Sequence, residues 1–137
     1  MSRVFRTLTI SGFVAFLATP VLAVDGNVDA GKKVFAKCAV CHGIGDTKKP
    51  IAPNLNNVIG RTAGTEPEYL AKKGQGYSKA MIAAGAGGLV WTEAEIAVWV
   101  ADPKKKVPGT KMVFPGLKSE QDIADVVAYV KTFSKAP

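Results

Sequence analysis

Apolar residues recur at helical spacing in three long stretches of this chain. The first stretch follows Asn27, a residue that can cap a helix. The second opens at the capping box Thr92-Glu93-Ala94-Glu95 and ends near Pro103. The third opens at Ser119, and a shorter helix is predicted over residues 77–84. Since no stretch alternates apolar and polar residues as a strand does, the pattern predicts an all-α protein with irregular loops between its helices.

The chain begins with a segment of different character. Arg3 and Arg6 precede an apolar run without charges, and Val21-Leu22-Ala23 has the small residues of a cleavage site. The run is shorter than the ~20 residues that a spanning helix needs, which disfavours the alternative of a retained membrane anchor. We predict that residues 1–23 are a secretory signal peptide and that residues 24–137 form one exported domain.

The five residues Cys38-Ala39-Val40-Cys41-His42 carry the most specific chemistry. Two cysteines at this spacing can each add across one vinyl group of a haem, and the adjacent histidine can bind its iron. A thioredoxin-like disulfide usually follows a strand, and a zinc site usually needs four N or S ligands. The chain has two cysteines, one histidine and no predicted strand. The motif therefore predicts one haem c bound through Cys38 and Cys41, with a plain disulfide as the alternative.

The second axial ligand of the iron cannot be another histidine of this chain, because His42 is the only one. Met1 lies in the predicted signal peptide, and Met81 lies in the predicted short helix, where a methionine usually packs. Met112 lies in a loop rich in Pro and Gly, and such a loop can direct a side chain to a cofactor. We predict that His42 and Met112 are the two metal ligands. Two filled axial positions leave no place for a substrate, which favours an electron carrier over an enzyme.

Taken together, these features resemble the class I cytochromes c, in particular the soluble bacterial cytochrome c2 type. The resemblance extends from about Val24 onward, and its most specific part is Pro108-Gly109-Thr110-Lys111-Met112-Val113-Phe114. The other matching segments are residues 29–35, 38–42, 52–55, 60–61, 91–92 and 102–105. The resemblance implies a small cytochrome c fold, with helices and loops wrapped around one covalent haem. In that fold the first and last helices cross at right angles, and Gly31 permits their close approach.

The resemblance also implies cofactor-binding roles for residues around the ligands. The carbonyl of Pro53 would accept a hydrogen bond from Nδ1–H of His42 and fix the orientation of the ring. Four side chains would bind the haem propionates or balance their charge, because burying these carboxylates is otherwise costly. They are Arg61, Tyr77, Trp91 and Thr110. The alternatives are a surface charge for Arg61 and ordinary aromatic packing for Tyr77 and Trp91.

Positive charge exceeds negative charge in this chain. There are 18 Lys and Arg against 11 Asp and Glu, and without Arg3 and Arg6 the balance is 16 against 11, or +5. The lysines expected around the haem edge are Lys37, Lys104, Lys105, Lys111 and Lys118. A positive ring there would steer the protein onto acidic docking faces, although some lysines serve solubility alone. No nucleic-acid motif is present, and we expect a monomer without nucleic-acid partners or stable membrane insertion.

The function implied by these features is one-electron transport in the periplasm. The donor would be a quinol:cytochrome c reductase. The acceptor would be a terminal oxidase, a photosynthetic reaction centre or a soluble reductase. One alternative is a haem c peroxidase or ligand-binding protein with an open sixth position. A second is a thiol–disulfide protein that uses Cys38 and Cys41.

Overall fold

The computed structural model describes residues 24–72 and 76–135. Their helices are α1 (Val28–Phe35), α2 (Pro67–Leu70), α3 (Lys79–Ala86), α4 (Glu93–Ala101), α5 (Pro103–Lys106) and α6 (Glu120–Lys131). Within these residues the β pairing is limited to one isolated antiparallel bridge, between Thr62 and Val90. The predicted all-α class is therefore confirmed. The predicted signal peptide lies outside the described residues.

The three long predicted helices begin at their capping residues. Asn27, Thr92 and Ser119 each accept a side-chain hydrogen bond from the backbone amide three residues further on, at 2.9, 3.1 and 3.2 Å. These bonds satisfy amide groups that have no acceptor within the first turn. Helix α3 begins two residues later than predicted because Ser78 is its cap and accepts from the amide of Met81 at 3.1 Å.

Two helices of four residues were not predicted. Helix α2 is capped by Glu66 and helix α5 by Asp102, and each has a proline as its first residue. Both features are typical of helix starts. A helix of four residues is too short to show apolar periodicity, so an acidic residue followed by proline is the signal in the sequence that could have identified them.

The first and last helices pack together at Gly31. A Cβ atom at this position would lie 1.9 Å from the carbonyl oxygen of Asp125, so only glycine permits this approach. The rings of Phe35 and Tyr129 pack beside it with centroids 5.2 Å apart. The Asp125 carboxylate also accepts a hydrogen bond of 2.7 Å from the amide of Asn27. These contacts join the two ends of the domain and form one wall of its interior.

No helix in residues 24–72 and 76–135 is both long enough and apolar enough to cross a membrane.

Candidate haem-binding site

A cavity of about 320 Å³ occupies the interior of the described domain. This volume falls within the roughly 300–1,000 Å³ of pockets that hold cofactors and other small molecules. Its walls come from α1, α2, α3, α4 and α6 and from the loops between them. Most of the lining is apolar, and it includes Phe35, Val58, Ile96, Val100 and Val126.

The predicted attachment residues line this cavity together because the chain keeps turning after α1. The amide of Cys38 donates to the carbonyl of Phe35 at 2.8 Å, and the amide of His42 donates to the carbonyl of Cys38 at 2.9 Å. These turns place Cys38, Cys41 and His42 at the cavity wall. Both thiols are free. The arrangement suits two thioether bonds to one planar group, with an imidazole next to it.

His42 is held in one orientation and one tautomer. Its Nδ1 atom lies 2.8 Å from the carbonyl oxygen of Pro53. A carbonyl can only accept, so Nδ1 carries the proton and Nε2 keeps its lone pair. Burial lowers the pKa of His42, and the hydrogen bond to Pro53 acts in the opposite direction. The ring is therefore neutral near pH 7 and can donate its Nε2 lone pair to a metal.

The environment of Cys38 disfavours thiol–disulfide exchange. Burial raises the pKa of this thiol, and the neighbouring Lys37 charge opposes the shift only in part. Cysteines that exchange disulfides usually have a lowered pKa, because the thiolate is the nucleophile. The motif is thus better suited to permanent attachment of a cofactor than to redox cycling of its sulfurs.

Met112 reaches the cavity from the loop that joins α5 to α6. The amide of Met112 donates to the hydroxyl of Thr110 at 3.2 Å. Further along the loop, the amide of Leu117 donates to the carbonyl of Val100 at 2.8 Å. The loop is thereby held against α4, with the Met112 side chain part of the cavity wall. Met81 also lines the cavity, from α3, so the lining by itself does not distinguish the two thioethers.

The four side chains predicted to serve the propionates all line the same cavity. Arg61 also has a structural role that the sequence did not reveal, because it donates to the carbonyls of Asn54, at 3.0 Å, and of Asn56. Burial raises the pKa of Tyr77, and the nearby Arg61 charge partly offsets this shift. Trp91 packs against Trp99 with ring centroids 5.3 Å apart.

Tyr69 is a cavity residue that the sequence analysis missed. It is buried, lines the cavity and meets the ring of Tyr77 edge-on, with centroids 4.9 Å apart. Tyr69 lies in α2, which is too short to show a periodic pattern. The local sequence signal for this helix is the pair Glu66-Pro67, in which the acidic residue caps the helix and the proline is its first residue.

The predicted docking lysines do not all lie at the cavity. Lys37 and Lys111 line it. Lys37 also lies 3.8 Å from the Asp122 carboxylate, and Lys111 donates to the carbonyl of Gly76 at 3.2 Å. The remaining three lysines are exposed but do not line the cavity: Lys104, Lys105 and Lys118.

The fold and the site define a small helical protein whose interior cavity is lined by a cysteine–histidine turn and by a loop that carries a methionine. The model of the cytochrome c family matches residues 28–134. The chain is 47% identical over 107 residues to a cytochrome c2 from Afifella marina, covering 77% of this chain and 82% of that protein. It is 44% identical over 128 residues to a cytochrome c-554 from Methylosinus trichosporium, covering 92% of this chain and 90% of that protein.

The solved structures agree with these sequence relationships. A cytochrome c2 from Rhodospirillum centenum superposes with a TM-score of 0.69 at 40% identity, covering 80% of this chain and all of that chain. This chain therefore belongs to the cytochrome c family, and its resemblance to the cytochrome c2 type is confirmed. Its cofactor is one covalent haem c, and it is an electron-transport protein. The cavity fits this cofactor, since it presents two free thiols, an imidazole with an available Nε2 and thioether sulfurs.

Proposed function

We propose that this protein is a soluble periplasmic one-electron carrier in which His42 and Met112 bind the iron of haem c. The observation that carries the proposal is the shared cavity. It is lined by the cysteine pair, by a histidine whose Nδ1 is already engaged by Pro53, and by Met112 on a tethered loop. When bound, haem c supplies a reversible one-electron change at its iron.

The residues of the chain would fix the orientation of the haem and its ligands and keep water away from them. Cys38 and Cys41 would hold the cofactor through thioether bonds, and the Pro53 carbonyl fixes the His42 ring. Apolar side chains around the cavity exclude water. When the ligand positions are nearly the same in the oxidised and reduced states, the reorganisation energy of electron transfer is low. His42 and Met112 would together complete the ligation of the iron and leave no position for a substrate, and we infer that the protein is not an enzyme.

Lysines next to the cofactor guide the protein to its partners. Lys37 and Lys111 border the cavity, and the exposed Lys104, Lys105 and Lys118 add positive charge to the surface. Positive charge near the point of electron transfer accelerates encounter with acidic docking faces and makes it sensitive to salt.

These faces would belong to membrane redox complexes. We propose a quinol:cytochrome c reductase as the donor. The acceptor would be a terminal oxidase, a photosynthetic reaction centre or a soluble reductase. Export to the periplasm would depend on residues 1–23, and the carrier would act as a monomer.

Substitution of the two cavity methionines tests the ligand assignment. Met112→Ala should abolish the weak near-infrared band of sulfur–iron charge transfer, admit cyanide or carbon monoxide and lower the reduction potential. Met81→Leu keeps an apolar side chain of similar size at the other methionine and should leave the band intact. Loss of the band in Met81→Leu, with the band retained in Met112→Ala, would assign the ligand to Met81. Ready binding of carbon monoxide by the unmodified protein would instead indicate an open sixth position and favour a peroxidase or ligand-binding function.

A further inference from the structure

The Pro53 carbonyl that orients His42 belongs to a loop whose C-terminal side is firmly anchored. The Asn56 side chain accepts from the amide of Gly45 at 2.7 Å and donates to its carbonyl at 2.8 Å. Arg61 adds hydrogen bonds to the carbonyls of Asn54 and Asn56. Asn54 and Asn56, which follow Pro53, are therefore tied to the rest of the domain from two directions.

The segment on the other side of Pro53 is held differently. Residues 48–52 have no regular structure, and Ile51 is 62% exposed. Pro50 has no amide hydrogen to donate. Among the described residues, the backbone of this segment makes one hydrogen bond to the rest of the protein, in which Nζ of Lys72 donates to the carbonyl of Pro50.

Lys72 is itself held in place by an aromatic ring. Its Nζ atom lies 5.3 Å from the centroid of the Tyr69 ring, a distance suited to a cation–π contact. Tyr69 is buried and packs edge-on against Tyr77. The ammonium group thus bridges a buried aromatic face and an exposed carbonyl. This contact restricts a side chain that otherwise samples many rotamers.

The path from Pro50 to Pro53 is short, and most of its residues have restricted backbone angles. The φ angle is fixed at both prolines, and Ala52 is biased towards extended conformations because a proline follows it. The backbone freedom left between the Pro50 and Pro53 carbonyls lies mainly at Ile51, so holding the Pro50 carbonyl limits the positions that the Pro53 carbonyl can take.

We propose that Lys72 is a positioning residue for the haem-binding histidine. It ties the region of α2 to Pro50 and so keeps the Pro53 carbonyl in line with Nδ1–H of His42. The inference rests on the proposed role of His42 as an axial ligand. The proposed function of Lys72 is not docking. It is to maintain the hydrogen bond between His42 and the Pro53 carbonyl, which sets the tautomer and the basicity of His42.

Hydrogen exchange at the His42 ring tests the proposal. Exchange of the Nδ1 proton with solvent is measured by NMR in the reduced, haem-loaded protein. Lys72→Met keeps most of the aliphatic stem but removes the donor and the charge, and should accelerate exchange about tenfold, as expected for the loss of one hydrogen bond. Lys72→Arg retains a donor and a cation and should exchange at the original rate. Lys49→Met removes a neighbouring charge that has no part in the bridge and should also exchange at the original rate.

Three outcomes would overturn the positioning role. The first is an unchanged exchange rate in Lys72→Met, and the second is equal acceleration in Lys49→Met. The third is equal acceleration of the α6 backbone amides, because the residue would then support overall stability and not the ligand. A failure of the ligand assignment is recognised separately. In that case the His42 ring resonances of the unmodified protein would lack the large shifts that a directly bound haem produces.

Discussion

The contact between α1 and α6 at Gly31 predicts that even one added methyl group will destabilise the fold. In Gly31→Ala, the new Cβ would lie 1.9 Å from the carbonyl oxygen of Asp125 and 2.5 Å from its carbonyl carbon. It would also lie 2.8 Å from Cβ of Tyr129. The two closest atoms belong to the backbone of α6, so no change of rotamer can relieve the clash.

The size of the effect follows from the displacement that the methyl group requires. An ordinary contact begins near 3.4 Å, so the helices would have to separate locally by about 1.5 Å. That shift would break the 2.7 Å hydrogen bond between the Asn27 amide and the Asp125 carboxylate, a loss of about 1 kcal/mol. Overpacking costs a further 1–3 kcal/mol or so, and the better helix propensity of alanine returns about 1 kcal/mol. The expected net loss is about 2 kcal/mol.

Guanidinium unfolding of the haem-loaded protein, followed by circular dichroism, measures this loss. Gly87→Ala is the matched control, because its new Cβ would meet its nearest atoms, backbone carbonyl oxygens of α3, at 3.4 and 3.5 Å. The control should change the free energy of unfolding by less than about 0.5 kcal/mol. If Gly31→Ala were equally harmless, the two helices would not approach as closely as the structure has them, and the reasoning would be refuted.

Two further predictions concern the cofactor and the docking surface. The double substitution Cys38→Ala and Cys41→Ala should leave a chain without a cooperative thermal transition, because the haem fills the core of a domain that is marginal without it. A helical, cooperatively folding apoprotein, detected by circular dichroism, would contradict this account. Lys37→Glu or Lys111→Glu should slow electron transfer to a purified acidic partner about fivefold at low salt and flatten its salt dependence. Lys135→Glu changes the net charge equally and should have a smaller effect; equal slowing in stopped-flow measurements would show that the partner responds only to total charge.

Some features of this protein are local in sequence, and these could be predicted. Cys38, Cys41 and His42 lie within two turns of chain, so their spacing alone brings two thiols and an imidazole to one wall. The starts of α1, α4 and α6 were equally predictable, because a capping side chain binds an amide only three residues away. The glycine at the helix crossing was recognised through the family resemblance, and the structure supplies its physical reason.

Other features depend on residues that are far apart in the chain, and only the tertiary structure decided them. Tyr69 joins the cavity through a helix too short to leave a pattern. Arg61 donates to two backbone carbonyls of the loop beside Pro53. Every residue has a backbone carbonyl, so the sequence does not show which ones a side chain will bind. Lys72 bridges to Pro50 across 22 positions. A sequence records which side chains can make such contacts, but the partner of each is determined by how the loops fold against one another.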